Sequence, residues 1–109
     1  MTDCKAMILG CSGLSLTADE IALYRDQQPW GFILFGRNIG EPQQITDLVA
    51  SMRDAVGRPD APALIDQEGG RVQRIKPPNL QAYPNASILG EIYARDRKEG
   101  LRAACPLSP

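Results

Sequence analysis

The chain has 109 residues, 43% of them hydrophobic, with 12 basic and 13 acidic side chains, a net charge of −1, three cysteines and no histidine. That length suits one small domain, and the balanced charge argues against nucleic-acid or membrane-surface binding driven by bulk charge. No apolar run reaches the roughly 18 residues that span a bilayer, and "MTDCKAMILGCSG" at the N-terminus lacks the apolar core of a signal peptide.

The elements alternate along the chain. "KAMILG" (5–10) reads as a short buried strand. Thr17-Ala18-Asp19-Glu20 matches a capping box, and the helix it opens runs to about Gln28, where Pro29 ends it. "GFILF" (31–35) is a continuous apolar run, the pattern of a strand buried on both faces in a parallel sheet. "GRNIG" (36–40) breaks it as a loop. A second helix opens at Glu41-Pro42, carries an apolar stripe of Ile45, Leu48, Val49, Met52 and Val56, and ends at Gly57. "APALI" (61–65) predicts a third buried strand, cut off at Asp66. An irregular stretch is expected over 67–85, then a helix over 86–104 weakened by Gly90 and Gly100. The β-α-β-α-β-α order predicts an α/β fold with a parallel sheet and no second domain.

In such folds, ligands bind outside the carboxyl ends of the strands. Those ends are Gly10-Cys11-Ser12-Gly13, Gly36-Arg37-Asn38, and Asp66-Gln67-Glu68-Gly69-Gly70-Arg71. Asp66 and Glu68, two apart, would share a side if the strand persisted. An acid and a nucleophile must however flank a sugar ring from different directions, which disfavours a local catalytic pair. A ligand clamp fits better: Asp66 accepts from hydroxyls, Arg71 and Arg74 donate, and Gly69-Gly70 permits close approach. A salt-bridged loop, with Glu68 paired to Arg71 and the glycines as a turn, fits the spacing equally. Gly-Gly alone is a weak phosphate signature. Arg37-Asn38 reads most simply as a loop with a left-handed Asn and an exposed Arg. Trp30 and Tyr83 could stack on a sugar, although such residues more often pack a core. Cys4, Cys11 and Cys105 match no metal spacing and read as free thiols of a reducing compartment.

"GFILFGRNIGEPQQITDLVASMRDAV" followed by "LIDQEGGRVQRI" resembles the N-terminal part of bacterial β-N-acetylhexosaminidases of glycoside hydrolase family 3, from about Ile8 to about Ala104. The resemblance implies a (β/α)₈ TIM-type barrel, of which 1–104 would form about the first three βα units. It implies retaining hydrolysis of terminal N-acetylglucosamine from peptidoglycan fragments, in the cytoplasm, with a small carbohydrate as ligand and neither metal nor organic cofactor. It maps sugar binding onto Asp66 and Arg74, with Glu68 and Arg71 as supporting residues. The family's nucleophile is an Asp on a late strand, and its acid/base is a His in a Lys-His-Phe-Pro-Gly-His neighbourhood. A chain without histidine lacks that acid/base, so no catalytic residue is expected here. A full barrel needs about 250 residues. "CPLSP" (105–109) departs from the family pattern and is expected to be an aberrant tail from truncation or frameshift.

Two readings from different classes follow. One is a catalytically incomplete glycosidase fragment. The other is a non-catalytic sugar-binding or interaction module derived from that fold. A small phosphate-binding domain is disfavoured by the balanced charge. Three βα units cannot close a barrel, so the chain is expected to self-associate through open strand edges and uncovered apolar faces.

Overall fold

The computed structural model describes residues 3–78 and 81–105. It divides into two compact units, one ending at Asp66 and the other starting at Gln67.

The first unit contains β1 (Lys5–Leu9), α1 (Ala18–Gln27), β2 (Pro29–Leu34), a 3-10 turn (Gly36–Asn38), α2 (Pro42–Val56) and β3 (Ala63–Ile65). Its strands are parallel and lie in the order β1-β2-β3, the expected α/β arrangement.

The helix boundaries follow from local chemistry. The Thr17 hydroxyl accepts from the Glu20 N–H, and the Glu20 carboxylate accepts from the Thr17 N–H, closing the predicted capping box. At the other end of α1, Gln28 takes a left-handed conformation with φ 48° and donates its N–H to Tyr24 O. Pro29 then opens β2 two residues earlier than the apolar run predicts, at a strand start where its missing N–H costs little. Phe35, expected to close that strand, lies outside it. Helix α2 starts on Pro42 and ends at Gly57, whose φ of 69° suits glycine.

The core lies between the sheet and the helices. Phe32 and Leu34 of β2 meet Tyr24 of α1 and Leu48, Met52, Ala55 and Val56 of α2. Burying each of the larger side chains contributes roughly 1.5–3 kcal/mol. Tyr24 and Phe32 pack edge to face, with centroids 5.1 Å apart. Ala55 joins the predicted stripe, while Ile45 and Val49 are only partly buried beside it.

Strand register sorts the faces. Leu9, Phe32 and Ala63 are neighbours across the sheet and belong to the helix side. Ile8 aligns with Gly31, and Ile33 with Leu64, on the opposite face. There Ile8 is 44% and Leu64 39% exposed. The expectation of a buried third strand therefore holds only in part: β3 is three residues long, with Ala63 and Ile65 partly buried and Leu64 exposed.

The second unit corrects two expectations. The stretch predicted as irregular holds an antiparallel hairpin, β4 (Gln67–Gly69) and β5 (Val72–Gln73). The single helix predicted over 86–104 is two, α3 (Ala86–Arg95) and α4 (Arg97–Ala104). The break falls at Asp96, away from both glycines. Its backbone is extended, with φ −149°, and its carboxylate accepts from the N–H groups of Lys98 and Glu99, capping α4. Gly100 is buried where α4 crosses α3, and a Cβ there would collide with the backbone of Tyr93. Among the described residues no helix is long and apolar enough to cross a membrane. Of the expected aberrant tail, Cys105 is exposed and 106–109 lie outside the described residues.

Candidate functional site

In the first unit the carboxyl ends of the strands carry a connected polar network. Its centre is Asn38, which is fully buried. The Asn38 amide donates to Gly13 O at 2.7 Å, to Cys11 O at 3.1 Å and to Cys11 Sγ at 3.2 Å. Its Oδ1 accepts from the Phe35 N–H at 2.9 Å. One side chain thus joins the loop after β1 to the turn after β2. The simple reading of Asn38 as a left-handed loop residue is corrected: it sits in the 3-10 turn, and Gln28 is the non-glycine residue with positive φ among those described.

Arg37 is exposed but oriented. Its Nε donates to Cys11 O at 2.9 Å, and its guanidinium lies over the Phe35 ring at 4.9 Å. Gln44, near the start of α2, donates to Leu14 O and Asn38 O and accepts from the Gly40 N–H. Tyr24 reaches up from α1 to donate its hydroxyl to Gly10 O.

Burial pushes the Cys11 thiol pKa up, and the Glu20 carboxylate adds to this; the hydrogen bond to Gly13 and the charge of Arg37 offset it in part. Burial alone would raise the Glu20 carboxyl. Hydrogen bonds from Thr17 and Ser12 outweigh it and hold the group below the usual carboxylate range. Tyr24 is pushed up to about 12, chiefly by burial and then by the nearby Cys11 and Glu20.

Asp66 follows β3 directly and is partly buried. The chain leaves the strand there, so the continuous strand needed to set Asp66 and Glu68 on one side is not formed.

In the second unit Gly69 closes β4 and Gly70-Arg71 form the turn, the two glycines having φ of 92° and 60°. The close approach they permit is made by the chain itself. A Cβ on Gly69 would collide with the Pro84 carbonyl, and one on Gly70 with the Asn85 side chain. Gly70 N–H donates to Tyr83 O at 2.6 Å. Glu68 and Arg71 are exposed, and the ion pair of the salt-bridged-loop alternative is absent among the described residues. The Arg71 N–H donates instead to Asn85 Oδ1. Arg74 is partly buried at the end of β5, with its N–H on Gln67 Oε1 at 3.2 Å.

Gln67 and Gln73 were missed by sequence reasoning. Gln73 is 3% exposed, and its amide bonds to Ile75 O, Gln81 O and the Tyr83 N–H. The signal was their place inside the Asp-Gln-Glu-Gly-Gly-Arg-Val-Gln-Arg run, where the charged residues drew attention. Of the two aromatics considered for stacking, Trp30 lies in β2 and is 45% exposed, and Tyr83 is partly buried.

No family model matches the sequence. Known proteins do. A β-hexosaminidase of Xylella fastidiosa (strain 9a5c) is 39% identical over 98 residues, 90% of this chain and 29% of its own length. One from Pseudomonas aeruginosa (strain LESB58) is 38% identical over 94 residues, 79% of this chain and 28% of its own. The crystal structure of NagZ from Neisseria gonorrhoeae in complex with N-trifluoroacetyl-D-glucosamine superposes with a TM-score of 0.74 at 30% identity, over 85% of this chain and 26% of that one. A glycoside hydrolase family 3 β-N-acetylglucosaminidase from Paenibacillus sp. str. FPU-7 gives 0.62 at 31% identity, over 76% of this chain and 16% of its own. The chain therefore spans about 29% of the length of the first curated relatives. By sequence and by fold, it is a homologue of the N-terminal part of bacterial β-hexosaminidases, with NagZ and a family 3 β-N-acetylglucosaminidase as structural neighbours.

Proposed function

We propose that this chain forms about the first three βα units of a (β/α)₈ barrel and carries part of the sugar site of a retaining β-N-acetylhexosaminidase that acts on peptidoglycan fragments. On this reading 1–104 belong to the barrel, and 105–109 are a departure from it. Asp66 accepts from sugar hydroxyls and Arg74 donates to the sugar, while Glu68 and Arg71 support the loop. The ligand is a small carbohydrate of the N-acetylglucosamine class, and the setting is cytoplasmic.

The observation that carries the reading is the match of 98 residues at 39% identity. In a chain of 109 residues, a match that long must include 66–74, the Asp-Gln-Glu-Gly-Gly-Arg-Val-Gln-Arg run. The parallel order β1-β2-β3 supports it, because a barrel adds its strands in this way. The chain holds no histidine to serve as the family's acid/base, so the reading assigns it binding without turnover.

Two measurements test this. The purified chain is expected to leave a chromogenic N-acetylglucosaminide intact; turnover that Asp66→Ala abolishes would show that the chemistry is present after all. N-acetylglucosamine is expected to shift NMR signals of the chain. Asp66→Ala and Arg74→Ala are each expected to weaken that response about tenfold or more, the scale of a lost hydrogen bond to a charged group. A response indifferent to both substitutions would remove them from the sugar site.

A further inference from the structure

We propose that Gln67 is a positioning residue for Arg74, fixing the direction in which the arginine leaves the hairpin; its use for sugar rests on the reading of Arg74 given above. In the hairpin, Gln67 of β4 lies opposite Gln73 of β5. Both strands stop pairing there, and Arg74 is the first residue beyond β5. The Gln67 side chain stands where a continued strand would have been. Its Oε1 accepts from the Arg74 N–H at 3.2 Å and from the Ile75 N–H at 3.1 Å. Its Nε2 donates to Ile75 O at 2.8 Å.

Three bonds from one amide hold three successive peptide groups, those on either side of Arg74 and the one after Ile75. They thereby set the Cα–Cβ direction of Arg74. A long, flexible side chain contributes to ligand binding only when its stem is held in place. The chemistry requires an amide, because a carboxylate cannot donate to Ile75 O, and an ammonium cannot accept from the two N–H groups.

Gln73 provides the contrast. It shares Ile75 O at 3.0 Å, but its other bonds go to Gln81 O and the Tyr83 N–H. It anchors the 81–83 segment, whereas Gln67 holds the Arg74 N–H. The two roles are separable by substitution.

The test uses the full chain, isotopically labelled, as wild type, Gln67→Met and Gln67→Glu. Amide exchange is read at Arg74, Ile75 and Tyr83, and relaxation and N-acetylglucosamine-induced shift at the Arg74 Nε–H. In Gln67→Met, exchange at Arg74 and Ile75 is expected to rise about tenfold, with Tyr83 unchanged. The Arg74 Nε–H is expected to become more mobile and its sugar response about tenfold weaker. Gln67→Glu keeps the acceptor oxygen and is expected to retain protection at Arg74. Equal loss of protection at Tyr83 would mean general loosening and overturn the proposal. Lost protection with an unchanged sugar response would overturn it too. If the wild-type Arg74 gives no sugar response while the exchange pattern holds, Gln67 stands as the anchor and the sugar reading of Arg74 falls.

Discussion

Asn38 shows how much one buried amide can hold. Replacing it with Ala removes its bonds to the Phe35 N–H and to the Gly13 and Cys11 carbonyls, of which Cys11 O keeps its bond from Arg37. Unsatisfied buried groups are costly, so Asn38→Ala is expected to destabilise the chain by about 2–4 kcal/mol in urea denaturation. Tyr24 adds a pH dependence. Its phenol is raised from 10.0 to about 12, so the folded state keeps the proton more tightly than the unfolded one. The stabilisation is complete below about pH 10 and is lost as pH rises towards 12, with a magnitude on the order of 2 kcal/mol. Alkaline denaturation checks this: Tyr24→Phe is expected to flatten the loss between those pH values and to remove the tyrosinate absorbance that develops near 12. Neither role was legible in the sequence. The partners of Asn38 lie 25 and 27 residues away, and no local pattern marks an Asn that will be buried.

Local signals served well where the determining contacts are local. The capping box at Thr17, Pro42 at the start of α2 and Gly57 at its end were all readable, because each acts within one helical turn. The break at Asp96 had its own signal, an Asp followed by Glu99 three residues on, but the helical run on either side masked it. The hairpin was harder. Strands of three and two residues are too short to show alternation, and their glycines and glutamines read as loop. Asp66 and Arg74 stood out by chemistry and by resemblance, while Gln67 and Gln73 gained meaning only from the geometry. The glycines of the hairpin tolerate little change. Gly69→Ala would force a positive φ on a residue with a Cβ and drive that Cβ into the Pro84 carbonyl. It is expected to cost about 2–3 kcal/mol in the second unit, read as lost amide protection at Gly70 and Tyr83 with the first unit's amides unchanged.

For the whole molecule the governing fact is its span, about 29% of the length of its curated relatives. Among the described residues of the first unit, β1 and β3 each pair on one side only, and Ile8 and Leu64 on one face of the sheet are partly exposed. Open edges and apolar faces seek partners. The 109-residue chain is expected to self-associate in size-exclusion chromatography; a soluble, cooperatively melting monomer would favour the non-catalytic module instead. The Asn38 network also bears on the order of events in folding. Its bonds to Cys11 and Gly13 can form only after α1 has crossed over and β2 has docked against β1. Such contacts are expected to form on the native side of the barrier, where they slow escape and leave the approach untouched. In stopped-flow experiments, Asn38→Ala should therefore refold at nearly the wild-type rate and unfold much faster, which makes this one amide a latch on the lifetime of the strand-end loops.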